Sequence, residues 1–125
     1  MIDFQDALMG PLLYDLTALL RDSYIVLDVE QIDQLTSYYA EKADAKNPYS
    51  KKPEDVKRDF RLITLQRKLK DTGRFQFIHT VKNNPSFLPC VKPSLGYIKD
   101  ALEKSPEYGE LKEIFEKYLP EFQNK

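Results

Sequence analysis

The sequence contains one cysteine and one histidine in 125 residues. Cys90 alone permits no internal disulfide, which suits the reducing interior of a cell. Cys90 has neither a second thiol to pair with nor a neighbouring base in the sequence. His79 falls at the end of a helical pattern, where a lone histidine is more often packed or at the surface than a general base. We therefore assign neither residue a catalytic role.

Long apolar runs and an excess of charge of one sign are also missing. The longest apolar runs are far too short to span a bilayer. Asp3 and Asp6 stand where a signal peptide would carry basic residues. With 19 Lys and Arg against 20 Asp and Glu, the net charge is -1, so no overall field attracts nucleic acid or an anionic membrane. These absences predict a soluble cytoplasmic protein with no membrane partner.

The apolar spacing predicts one mainly α-helical domain over residues 1–125, a normal length for a single domain. Helices are expected from about Leu12, from Asp28 to about Ala43, from Pro53, from Pro93 to Lys104 and from Pro106 to Leu119. The proline-containing stretch from about residue 43 to 53 is expected to be a loop.

Local signals add detail to these helices. Asp28 and Gln31 form a capping-box pattern, and the prolines near helix starts suit a first turn. Gly73 either ends or kinks the third helix, and Asn83-Asn84-Pro85 stops it. The apolar run from Ser23 to Asp28 is either a strand or a buried connection. The residues expected to face inward are Leu12, Leu13, Leu16, Leu19 and Leu20 in the first helix, Val56, Phe60, Leu62, Ile63, Leu65 and Leu69 in the third, and Tyr97, Ile98, Leu102, Leu111, Ile114, Phe115 and Tyr118 near the C-terminus.

The opening stretch concentrates carboxylates before any helix begins. Ile2 and Phe4 flank Asp3 in the alternation of a short strand within residues 1–10, and Asp6 follows. Asp6 can start a turn through its side chain, and we favour this interpretation of the residue. Asp15 lies at the border of the leucine stripe, where a buried carboxylate requires hydrogen-bond donors.

Three parts of this stretch carry a family resemblance. They are Ile-Asp-Phe-Gln-Asp-Ala at residues 2–7, Gly-Pro at 10–11, and Tyr-Asp-Leu-x-x-Leu-Leu-Arg-Asp at 14–22. Together they resemble the segment that follows the catalytic loop in aminoglycoside-phosphotransferase-type kinases. Within that superfamily the pattern is most similar to bacterial cell-wall amino-sugar kinases, which phosphorylate N-acetylmuramate and N-acetylglucosamine at the anomeric hydroxyl. Residues 58–73 and 87–98 are similar to the C-terminal helical region of those enzymes.

The resemblance implies a fold and a chemistry. The fold is the C-terminal helical part of a protein-kinase-like large lobe, entered by one short β-strand. The implied cofactors of the intact enzyme are ATP and Mg²⁺, and Asp3 matches the metal-binding Asp, with Asp6 as a second candidate ligand. Asp15 would brace the catalytic loop. Arg67, with Gln66 beside it, is suited to bind a substrate carboxylate such as the lactyl group of muramate.

The same resemblance implies what this sequence does not contain. The nucleotide-binding lobe and the His-x-Asp catalytic loop of these kinases precede the matched motif. We therefore expect no catalytic residue within the chain, no activity from the chain alone, and no tight binding of Mg²⁺ or ATP to it. Its expected partner is the N-terminal kinase portion, or a second copy that covers the exposed face of the lobe.

Two alternatives come from other functional classes. One is a non-catalytic helical interaction module or the partner subunit of a split gene. The other is nucleic-acid binding through the basic residues between Lys57 and Arg74. The second is disfavoured, because charged helix faces are common in globular domains and no aromatic platform for stacking bases is interleaved here.

Overall fold

The computed structural model describes residues 9–43 and 52–123. These residues form five α-helices and no strand. The helices are α1 (Tyr14–Leu20), α2 (Val29–Lys42), α3 (Pro53–Lys82), α4 (Val91–Glu103) and α5 (Gly109–Tyr118), with short 3₁₀ turns at Pro85–Cys90, Pro106–Tyr108 and Pro120–Phe122. The predicted mainly helical class is confirmed. The predicted opening strand and most of the predicted loop fall on residues 1–8 and 44–51, outside the described ranges.

Helix α3 is the element against which α1, α2 and α4 pack, while α5 packs against α4. Its 30 residues span about 45 Å at 1.5 Å per residue. A first hydrophobic cluster joins its N-terminal half to α1 and α2, and a second joins its middle to α4 and the C-terminal turns. The first consists of Leu13, Leu20, Ile32, Val56 and Phe60, and the second of Leu65, Ile98, Ala101, Leu102 and Phe122.

The helix boundaries follow the local signals closely. The Gln31 amide donates to the Asp28 carboxylate at 2.7 Å, and the Asp28 amide donates to the Gln31 side chain at 3.2 Å, so the predicted capping box is confirmed. Helix α3 ends at Lys82, followed by Asn83 in the left-handed conformation at φ 51°. The helix runs through Gly73, because a single glycine weakens a helix without necessarily ending it.

Two predictions about the first 28 residues are wrong in detail. Helix α1 begins at Tyr14, within two residues of the expected start, but Leu12 and Leu19 are exposed instead of facing inward. The short helix turns only one narrow face toward α3, and these two leucines lie off that face. The connection from Ser23 to Asp28 is not a strand, and it is buried only at Ser23, since Tyr24 and the two residues after it are 62–70% exposed.

The inward face of α3 also differs from the predicted one. Leu62 and Leu69 are exposed, whereas Thr64 and Lys68 are buried beside Phe60 and Leu65. Residues 60, 64 and 68 lie on one face of α3, because positions four residues apart are on the same side of a helix, and all three are buried. On the C-terminal helices the predicted inward residues pack as expected, except that Ile114 and Tyr118 are exposed. No helix in the described part of the chain is long and apolar enough to cross a membrane.

Candidate functional site

The structure describes three of the five residues that the resemblance singled out. Asp3 and Asp6 lie outside the described residues. Asp15 is exposed in the first turn of α1, and Gln66 is exposed on α3, while Arg67 is partly buried. Within residues 9–43 and 52–123, no three His, Cys, Asp or Glu side chains are grouped to hold a metal ion. No described residue is therefore assigned to Mg²⁺.

Arg67 contacts the first residue of α1. Its guanidinium carbon lies 4.2 Å from the centre of the Tyr14 ring. One turn further along α3, the Lys70 ammonium donates to the Tyr14 hydroxyl at 3.3 Å and lies 5.8 Å from the ring centre. One aromatic side chain thus gathers two cations from α3, in a favourable cation–π arrangement.

A second polar cluster, which the sequence did not suggest, lies between α1, α3 and α4. The Lys68 ammonium donates to the Ser23 hydroxyl at 2.9 Å, and Ser23 is 3.0 Å from the Ser94 hydroxyl. Ser94 in turn donates to the Cys90 carbonyl at 2.8 Å. Asp71 lies 3.4 Å from Lys68 and supplies a counter-charge. These bonds hold the segment that leaves α1 against α3 and α4.

An ion pair lies beside that cluster. The Arg21 guanidinium donates to the Asp100 carboxylate at 2.7 Å, and Lys104 donates to its other oxygen at 2.8 Å. Arg21 is only 5% exposed and also packs on the rings of Tyr97 and Phe60, at 4.9 and 5.7 Å. The buried charge is thus held by one carboxylate and two aromatic faces.

Burial shifts the protonation equilibria of these groups. It lowers the pKa of the Lys68 ammonium, although the nearby Asp71 carboxylate partly opposes the shift. It raises the pKa of the Tyr97 hydroxyl, which has no hydrogen-bond partner among the described residues. Burial alone would raise the pKa of Asp100, but the hydrogen bond from Lys104 and the charge of Arg21 hold it below its usual value.

The buried groups bind one another and contain no nucleophile paired with a base. Their arrangement holds the end of α1 against α3 and α4. A signal for it was present in the sequence, because Thr64 and Lys68 continue the register of Phe60 on α3. Lys68 was instead grouped with the basic residues of a solvated face, and its burial corrects that interpretation.

Comparison with known proteins gives a consistent result. The chain is 34% identical over 114 residues to the N-acetylmuramate/N-acetylglucosamine kinase of Pseudomonas aeruginosa, covering 90% of this chain and 34% of that protein. The chain is 34% identical over 115 residues to the kinase of the same name in Neisseria meningitidis serogroup B, and 32% identical over 114 residues to that of Pseudomonas putida. In each case it again covers 34% of the relative. The chain is similar to amino-sugar kinases. The resemblance stated from the sequence motifs is confirmed.

The similarity to the amino-sugar kinases has a defined extent. The chain spans about one third of the length of the three relatives that it matches. No family model matches it, and no solved structure does.

The face around α1 leaves apolar side chains in solvent. Met9 is 97% exposed and Leu19 is 72% exposed. Nearby, a groove of about 440 Å³ opens between the entry to α1 and the first half of α3. It is lined by Gly10, Pro11, Leu12, Leu13, Val56, Asp59, Leu62 and Ile63.

Proposed function

We propose that the chain is part of an ATP-dependent phosphotransferase that phosphorylates an amino sugar of the N-acetylmuramate and N-acetylglucosamine type. The observation that supports this proposal is the 32–34% identity over about 90% of the chain to kinases that are named for those two sugars. The helical architecture is compatible with the C-terminal part of a kinase large lobe. ATP as the phosphoryl donor and a single, unpaired cysteine favour the cytoplasm as the site of action.

The proposal gives the residues separate roles. Asp3 binds Mg²⁺, and Asp6 is the second candidate ligand. The ion, when bound, neutralises charge on the transferring phosphoryl group. Asp15 braces the catalytic loop, and its exposure in the first turn of α1 leaves its carboxylate accessible to another segment. Arg67 binds a substrate carboxylate, with Gln66 beside it.

The chain alone is proposed to be inactive and to bind neither ATP nor Mg²⁺ tightly. Its proposed partner is the N-terminal portion of the kinase, or a second copy of the chain. The exposed apolar side chains of Met9, Leu12 and Leu19 support such a contact, because burying an apolar side chain stabilises a complex by about 25 cal/mol per Å² before the costs of association. Nucleic acid is not proposed as a partner.

An intact-mass measurement joined to an activity assay tests this function. The protein is purified from the cells that make it, weighed, and incubated with ATP, Mg²⁺ and each sugar. We expect a species heavier than 14.6 kDa that forms sugar phosphate. Asp3→Asn in that species should abolish transfer without changing the melting temperature, because only the metal ligand is lost.

The opposite result supports the alternative function. A native species of 14.6 kDa that transfers no phosphate, even when mixed with the other proteins that co-purify with it, would refute the kinase proposal. It would favour the non-catalytic helical interaction module or split-gene subunit.

A further inference from the structure

We propose that Tyr14, Arg67 and Lys70 form an anion clamp that favours acidic over neutral amino sugars, with Tyr14 as the residue that positions the two cations. This inference rests on the proposed function and deepens it. It concerns the preference between the two sugars, which the similarity to kinases named for both does not decide.

Arg67 contacts Tyr14 through a cation–π interaction, which takes up no oxygen or nitrogen acceptor. The carbon of the guanidinium group lies 4.2 Å from the ring centre. The N–H donors lie in the plane of that group, in a fork that matches a carboxylate. The buried Arg67 Nε has no hydrogen-bond partner among the described residues. Tyr14 therefore restricts the side chain of Arg67 without consuming the donors that bind an anion.

Lys70 adds a second cation to the same place. Its ammonium donates to the Tyr14 hydroxyl at 3.3 Å, and its side chain is 50% exposed. The spacing of three residues from Arg67 puts both on one face of α3. Asp71 lies 3.7 Å from Lys70 and 3.4 Å from Lys68, so its charge is shared between the two lysines. The exposed side of the clamp thus keeps a net positive charge.

The third cation of this segment is not part of the clamp. Lys68 is 3% exposed and is bound to Ser23 and Asp71. The structure therefore sorts the adjacent basic residues of α3 into one buried, internally bonded lysine and one pair gathered on Tyr14. The sequence pattern did not distinguish them.

The two sugars differ in the group that such a clamp would bind. N-acetylmuramate carries a carboxylate on its lactyl group, whereas N-acetylglucosamine has a neutral hydroxyl at that position. A charge-assisted hydrogen bond contributes more than a neutral one, and a partly exposed site retains only part of that difference. We expect the acidic sugar to bind about tenfold more tightly than the neutral one.

The intact protein that carries this chain is used for the test, because the proposed function gives the chain a partner. Isotope-labelled protein is titrated at fixed ionic strength with N-acetylmuramate, N-acetylglucosamine and inorganic phosphate, and the NMR signals of the Arg67 side chain and the Tyr14 ring are followed. We expect saturable shifts with N-acetylmuramate, and about tenfold weaker binding of the neutral sugar. Phosphate, which lacks the sugar ring, should bind more weakly than N-acetylmuramate.

Matched variants separate positioning from folding. Arg67→Gln and Tyr14→Leu should each remove the preference for the acidic sugar. Tyr14→Phe, which keeps the ring but loses the hydroxyl that meets Lys70, should restore most of it. Arg58→Gln is the control, because Arg58 is exposed on the same helix and pairs with Asp55 and Asp59 instead. If the role of Tyr14 were purely structural, Tyr14→Leu would weaken the binding of both sugars equally and leave the ratio of their affinities unchanged.

Several results would overturn the clamp. These are equal binding of the two sugars, no saturable binding of either, phosphate binding as tight as that of N-acetylmuramate, or an acidic preference that survives Arg67→Gln. If Tyr14→Leu fails to fold by circular dichroism, Arg67→Gln decides the matter. None of these results bears on the phosphotransfer assay of the native species, so failure of the clamp and failure of the proposed function are distinguishable.

Discussion

Replacing Asp100 by asparagine should destabilise the protein, because it leaves a buried guanidinium without its counter-charge. Asp100 accepts from Arg21 at 2.7 Å, and the two side chains are 22% and 6% exposed. Asparagine keeps the shape of the side chain and one oxygen acceptor, but it removes the charge and replaces the other oxygen by an NH2 group that faces Arg21 or Lys104. The perturbation is therefore confined to the two ion pairs of Asp100.

The expected magnitude follows from this partial burial. Removing one partner of a fully buried pair costs about 3–5 kcal/mol. Here Asp100 retains some contact with water and the amide oxygen still accepts a hydrogen bond, so we expect a loss of about 2–3 kcal/mol at pH 7. For a chain of this length the melting temperature should fall by roughly 3–5 °C per kcal/mol.

The pH dependence has a definite sign. The folded-state pKa of Asp100 is below its usual value, so its stabilising contribution is present above the unfolded pKa of about 3.9. It is lost as the pH falls through the folded value, because the protonated group no longer pairs with Arg21. The difference between wild type and Asp100→Asn should therefore be full at pH 7 and shrink below about pH 4.

Urea unfolding followed by circular dichroism measures these free energies. A double-mutant cycle with Arg21→Met and Asp100→Leu isolates the pair from the contacts that Arg21 makes with aromatic rings, and we expect a coupling of about 2 kcal/mol. The exposed Arg58→Met variant serves as the control and should leave stability nearly unchanged. A loss below about 0.5 kcal/mol for Asp100→Asn, or a loss that is the same at pH 3 and pH 7, would refute the reasoning.

Three further predictions use the same measurement. Because the folded-state pKa of Lys68 is lowered, wild type should gain stability relative to Lys68→Met as the pH rises from that pKa toward the unfolded value of about 10.4; a pH-independent difference would contradict it. Asp28→Ala removes the acceptor for the Gln31 amide and should cost about 1 kcal/mol, with Asp28→Asn largely retaining stability; equal losses would count against the cap. Ile98→Ala, at a site with 0% exposure, should lower the free energy of unfolding by about 3–4 kcal/mol. Ile114→Ala, at 54% exposure, should have a small effect. Similar losses at both sites would argue against the second hydrophobic cluster.

The local elements could be predicted because their causes are contiguous in the chain. The capping box at Asp28 depends on a residue three positions away, and the end of α3 depends on Asn83 and the proline two residues later. Such interactions form within one or two turns and require no partner from elsewhere. The family resemblance was equally readable, because it depends on the order of residues from 2 to 22, and the comparison with amino-sugar kinases confirms it.

The candidate site was predicted only in part. The motif singled out Asp3, Asp6 and Asp15 from their order alone, and their roles remain predictions. Arg67 was singled out in the same way, but its contact with Tyr14 joins two helices far apart in sequence. No pattern within either helix specifies that contact. The choice of partner depends on how α1 packs against α3.

Neighbouring residues specify the helical class, the cap at Asp28 and the kinase resemblance. The tertiary structure alone decided which polar side chains became buried. Lys68 is enclosed because Ser23 and Ser94 are brought to it from the end of α1 and from α4, and Leu19 is exposed because α1 turns its other face to α3. Burial depends on what the rest of the chain places against a residue, and that information is distributed over the whole fold.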